Sequence, residues 1–189
     1  MPDNDVSIRK VLAIVSNYGV EQDELLKPLE HLRGWGAEVE VAAVSTDHVQ
    51  TLVGDKKPGQ TVPADHALKD VDPADYDLLL VPGGTVNADS LRVQERAIEI
   101  VRSFTSSGRP VAAICHGPWA LVEAGVVDGK TMTSFPSLRT DIRNAGGEWM
   151  DAPVVTDDSH GWTLITSRRP GDLEPFLREV DSALAVDAQ

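Results

Sequence analysis

Apolar positions along this chain recur with two periods, and the switch between them lays out the elements. Residues 11–15 (Val-Leu-Ala-Ile-Val) form a near-continuous apolar run, the pattern of a strand buried on both faces of a parallel sheet. Residues 24–32 then set Leu25, Leu29 and Leu32 on one helical face, and the stretch from Gly34 to Gly36 ends that helix. A second strand alternates over 38–44. Residues 46–75 are punctuated by Gly54, Pro58, Gly59, Pro63 and Pro73, and read as loop with one short strand near Thr61-Val62.

A buried strand over 76–81 is stopped by Pro82-Gly83-Gly84, and a helix over 89–106 follows with Ala97, Ile98, Val101 and Phe104 inward. Next come a strand over 110–114, a sharp corner at Cys115 and a helix through Ala124. The final third predicts strands over 131–134, 148–156 and 162–166, a helix over 137–144 and a closing amphipathic helix over 172–184. Strands alternating with helices imply an α/β fold with a mainly parallel sheet covered on both faces. Ligands of such sheets bind outside the carboxyl ends of the strands, where residues 17–24, Pro82-Gly83-Gly84 and Cys115-His116 converge.

Composition narrows the picture. At 189 residues, 41% of them hydrophobic, the chain is expected to form one domain over 1–189 with a core of about 9–185. The opening Met1-Pro2-Asp3-Asn4-Asp5 is acidic and polar, and no apolar run approaches the roughly 18 residues of a spanning helix. A soluble, unsecreted, cytoplasmic protein with no membrane partner is therefore expected. A net charge of −13 argues against nucleic acid as a partner of the chain as a whole. His31, His48, His66 and His160 lack paired ligand spacing, and neither G-x-G-x-x-G nor a phosphate-loop motif occurs, so no metal and no nucleotide cofactor is expected.

The single cysteine is the strongest chemical signal. One cysteine makes no intrachain disulfide, and at a strand-to-helix corner Cys115 is aimed along a helix N-terminus, whose free N–H groups and dipole favour the thiolate. A buried core cysteine is the bland alternative, but an inert thiol does not need Gly117 two residues on, nor a Pro118 suited to a first helical turn. His116 can move a proton for Cys115 only if the corner is sharply strained, and otherwise caps the helix. Gly83 and Gly84 form either a plain turn or, with the amide of His116, an oxyanion hole. Glu21, Asp23 and Glu24 are favourable acids at a helix start, or one of them faces the sulfur.

These residues carry a resemblance. The runs Pro110 to Pro118, Leu80-Val81-Pro82-Gly83-Gly84, Glu21-Gln22-Asp23-Glu24-Leu25 and Asn144-Ala145-Gly146-Gly147-Glu148-Trp149 resemble, in order and over nearly the full length, the PfpI-like intracellular proteases of the ThiJ/PfpI superfamily. That group is related to class I glutamine amidotransferase domains and to the Parkinson-associated deglycase. The resemblance implies a flavodoxin-like three-layer sandwich with a nucleophile elbow, Cys115 as nucleophile, His116 as neighbouring base and Glu24 as the carboxylic acid touching the sulfur. Gly83, Gly84 and Gly117 fall in its oxyanion and substrate-binding turns. It also implies homodimers or homohexamers with the site at a subunit contact. There an acid from the neighbouring subunit completes a triad: Asp89 takes that place when one extra residue is allowed in the turn, where the family has Glu. The hairpin tip Thr156-Asp157-Asp158-Ser159-His160-Gly161 is longer than the family's usual one.

Three uses of the sulfur follow. The favoured one is a cofactor-independent hydrolase or lyase acting on small reactive carbonyls such as methylglyoxal or glycated amines; a cysteine peptidase and a redox-sensing stress protein are the alternatives.

Overall fold

The computed structural model describes residues 8–186, so the acidic opening Met1–Asp5 lies outside the described residues. Twelve strands and six helices follow in order: β1 Lys10–Ile14, β2 Tyr18–Glu21, α1 Gln22–Gly34, β3 Glu38–Ala43, β4 Val49–Val53, β5 Lys57–Val62, β6 His66–Ala67, β7 Leu78–Val81 and α2 Thr85–Arg92. The second half comprises α3 Glu95–Ser106, β8 Val111–Ile114, α4 Trp119–Ala124, β9 Thr131–Met132, α5 Arg139–Asn144, β10 Glu148–Trp149, β11 Val154–Asp157, β12 Leu164–Ser167 and α6 Leu173–Val186.

Seven strands make the central sheet in the order β11-β12-β8-β7-β1-β3-β6, all parallel except β11, which runs antiparallel to β12. Side-chain alternation explains why the β1 run is apolar throughout. Val11, Ala13 and Val15 pack with Leu25, Leu29 and Leu32 of α1 and with Phe176, Val180 and Leu184 of α6. Leu12 and Ile14 turn the other way, toward Leu91 of α2, Ile98, Val101 and Phe104 of α3, and Leu121 of α4. The result is an α/β sandwich. From β1 the chain winds to β3 on one side and later to β7 on the other, so the sheet reverses its winding between β1 and β7, the place where open α/β sheets bind ligands.

Three expectations are corrected, the first being the strand over 148–156, which is two short strands in different sheets, β10 beside β9 and β11 beside β12. Residues 46–75 are not mostly loop: β4 and β5 form a hairpin that adds to β2 as a separate three-stranded sheet, and β6 extends the main sheet. Residues Lys57 to Thr61 of β5 are exposed apart from half-buried Gly59, so no apolar alternation marks the strand. The helix expected over 89–106 is two helices that start earlier, α2 and α3, broken at Val93-Gln94, where exposed Val93 has no core to turn toward.

Candidate active site

Cys115 follows β8 directly, and its backbone adopts φ +62°, a left-handed conformation that a side chain normally avoids at a cost of about 1–2 kcal/mol. The corner is held from both sides: the Cys115 amide donates to the Ser167 carbonyl at 2.9 Å, and the Cys115 carbonyl accepts from the Phe135 amide at 2.8 Å. The condition set by the sequence is thereby met. The Sγ atom lies 3.1 Å from Nδ1 of His116, although the two residues are adjacent. Gly117 contributes by being small, since a Cβ there would sit 2.3 Å from the Val81 carbonyl oxygen of the neighbouring strand.

The sulfur is not the exposed thiolate expected of a helix start. Cys115 is 5% exposed, and α4 begins only at Trp119, four residues on and six residues long, so little helix dipole reaches the sulfur. Burial, reinforced by the charge of Glu24, pushes the thiol above its usual range, while the backbone amides of Gly84 and His116 donate toward the sulfur and pull it down. His116 is also buried, and its desolvation holds the imidazole below its ordinary value despite the opposing charge of Asp55. Burial thus favours the uncharged form of both members of the pair.

Glu24 comes from the first turn of α1 and is fully buried against this corner. Neither of its oxygens has a hydrogen-bond partner of good geometry. Burial, with the nearby charges of Glu21 and Asp55, raises its carboxyl well above the usual range; the closeness of Cys115 and the Gly83 amide offsets only part of this. The group is therefore a carboxyl facing the sulfur whose protonated form is favoured by burial. Of the helix-start acids, Glu24 is thus the one at the cysteine. Glu21 turns away and clamps the β4–β5 hairpin tip, accepting from the amides of Gly54 and Asp55 at 3.0 Å each.

The two glycines after β7 part company. Gly84, at φ +86°, aims its amide at the sulfur, and a Cβ there would meet the Gly19 carbonyl oxygen at 2.2 Å. The Gly83 amide instead faces the Glu24 carboxyl, and a Cβ on Gly83 would lie 2.8 Å from both Cys115 Cβ and Glu24 Oε1. Asp89 is exposed on α2, and nothing in the chain ties it to Cys115 or His116 among the described residues.

Four residues at the site carry no signal in the apolar pattern. Asn87 is buried, accepts from the Ser16 amide at 2.7 Å and donates to the Gly83 carbonyl at 2.9 Å, pinning the β7 turn to the end of β1. Thr85 and Ser137 place hydroxyls 3.4 and 3.3 Å from His116 Nε2, and Asp55 accepts from the Thr85 hydroxyl at 2.9 Å. The imidazole is stacked on Phe135, with centroids 4.6 Å apart, and meets Trp119 edge-on. Among the described residues no group of three His, Cys, Asp or Glu side chains is placed to hold a metal ion.

Fold and site together define an α/β sandwich bearing a cysteine elbow at the carboxyl edge of its parallel sheet. The profile of the DJ-1/PfpI family matches residues 9–182, and the chain belongs to that family. It is 42% identical to "Deglycase TK1284" of Thermococcus kodakarensis over 90% of this chain and 96% of the relative. It is 38% identical to "Putative cysteine protease YraA" of Bacillus subtilis over 90% of this chain and 95% of that one. The crystal structure of Drosophila melanogaster DJ-1beta superposes with a TM-score of 0.82 at 30% identity, covering 94% of this chain and 91% of that one.

Proposed function

We propose that this protein is a cofactor-independent enzyme that uses Cys115 on small reactive carbonyls, in the manner of a deglycase or glyoxalase. The observation that carries this reading is the 3.1 Å contact between Cys115 Sγ and His116 Nδ1 at a strained elbow. Nδ1 takes the thiol proton as sulfur attacks an aldehyde carbon. The C=O electron pair moves to oxygen, and a hemithioacetal forms. The amides of Gly84 and His116, which point at the sulfur, stand beside the carbon that joins it and can take up the developing oxyanion. The proton is returned from the imidazolium or from Glu24, whose protonated form burial favours. With methylglyoxal the adduct rearranges and is hydrolysed to a hydroxy acid, so that one water is the only co-reactant; with a glycated amine the sulfur bonds to the carbinolamine carbon as its C–N bond breaks, the amine leaves with the thiol proton, and the same hemithioacetal is left to rearrange and hydrolyse.

Both members of the pair are nearly closed off, with Cys115 5% and His116 4% exposed, and this access suits a small aldehyde better than a polypeptide. Peptidase action is kept as the second reading because of the name borne by the Bacillus relative. Purified protein incubated with methylglyoxal is expected to remove it, and Cys115→Ala to leave it untouched. Equal loss with both proteins overturns the reading, and Cys115-dependent cleavage of a fluorogenic peptide panel without aldehyde loss replaces it with the peptidase.

A further inference from the structure

We propose that Thr85 and Asp55 are the positioning residues of His116, a relay built within one chain that sets which ring nitrogen carries the proton. This deepens the reading above and rests on it for its catalytic meaning, though its geometry does not.

The hydrogen bonds run in one direction. The carboxylate of Asp55 can only accept; its Oδ1 takes the Thr85 amide at 2.8 Å and its Oδ2 takes the Thr85 hydroxyl at 2.9 Å. With its proton committed to Asp55, the Thr85 hydroxyl has only lone pairs to offer the imidazole, whose Nε2 lies 3.4 Å away. The hydroxyl of Ser137, 3.3 Å from the same nitrogen, can accept the same proton. A neutral imidazole carries one N–H, so placing it on Nε2 leaves Nδ1 as a bare lone pair facing Sγ at 3.1 Å. The ring is thus held in the tautomer that can take a proton from the thiol. Once it has done so, the Nε2–H of the imidazolium points through Thr85 to a carboxylate.

The relay is itself supported. Asp55 sits at the tip of the β4–β5 hairpin with φ +59°, and Glu21 holds that tip by its two amides. Glu21 immediately precedes α1, which carries Glu24 to the other side of the sulfur. The titratable groups around the imidazole are therefore Cys115 at Nδ1, Glu24 beyond the sulfur and Asp55 behind Thr85; Ser137, Phe135 and Trp119 complete its surroundings.

Because Cys115 is the sole cysteine, its alkylation by iodoacetamide reads one thiol and needs no substrate. Thr85→Val keeps the amide bonded to Asp55 and removes only the hydroxyl. It is expected to slow alkylation at neutral pH roughly 10-fold, a fraction of what a positioned base supplies, and to move the rate–pH profile to higher pH, while Thr85→Ser restores both. Nitrogen-15 shifts of the His116 ring in the unaltered protein are expected to show Nε2–H, which needs no variant to fold. An Nδ1–H ring overturns the proposal, as does a Thr85→Val profile matching wild type, or one in which only Ser137→Ala has an effect. If wild type fails to consume methylglyoxal while these thiol and ring readouts stand, the catalytic reading falls and the relay does not.

Discussion

Glu24 stands in the first turn of α1, where the helix dipole favours a carboxylate, yet its burial wins. A carboxyl whose folded pKa lies above its unfolded one adds stability that is full below the unfolded pKa and lost as pH rises through the folded one. In a Cys115→Ala background, which removes the thiol's own slope, melting temperature should fall as pH is raised. Glu24→Gln should flatten that fall, by roughly 1.4 kcal/mol for each pH unit of the upward shift. Parallel melting curves for the two proteins across that range would mean that Glu24 is charged in the native state. The roles of individual residues were unevenly legible. Cys115 stands out because its type and its place in the apolar pattern are unusual, whereas Glu24 is one of three ordinary helix-start acids that only the family resemblance singles out. Asp55, Thr85, Asn87 and Ser137 are common residues in turns and helix starts, and only the contact each makes across the fold distinguishes it.

At the level of elements, the β12 end of the sheet shows how a polar hairpin tip is tied down. Lys130, just before β9, is fully buried with its ammonium under the tip, donating to the Trp162 carbonyl at 2.7 Å and to the carbonyls of Asp157 and Ser159. Asp157 answers with an ion pair to Lys130 at 3.5 Å and accepts from the Thr131 amide at 2.6 Å. Against the upward push of burial, hydrogen bonds from the Ser159 hydroxyl and from the amides of Thr131 and Ser159 hold its carboxyl below the usual range. Lys130→Met would strand these oxygens and the carboxylate, and is expected to cost about 3–5 kcal/mol in denaturant unfolding. A loss indistinguishable from a surface substitution would show that water replaces the ammonium. The tip over residues 156–161 thus covers a buried cation, and its polar sequence reads as surface because the partner lies about 30 residues back along the chain. The same blindness hid β4 and β5, whose pairing joins segments of ordinary polar character to β2.

For the whole molecule, the in-chain relay bears on the neighbouring subunit that the family resemblance implies. Asp89 is exposed on α2, and with His116 oriented by Thr85 and Asp55 its replacement by alanine should leave methylglyoxal consumption at the wild-type level. A loss in Asp89→Ala that returns in verified mixed oligomers with Cys115→Ala would instead assign the acid to the partner. What the sequence determined by itself is local or periodic. Apolar runs set the buried strands, one helical face set α1, and a lone cysteine between a strand and a Gly-Pro turn marked the elbow, since each depends on residues a few positions apart. What only the tertiary structure decided is how far the sulfur is buried, that burial raises the Glu24 carboxyl, and that a hairpin tip bonds the Thr85 hydroxyl beside the far nitrogen of His116. Desolvation and hydrogen-bond direction belong to groups brought together across the sheet edge. No spacing along the chain encodes them.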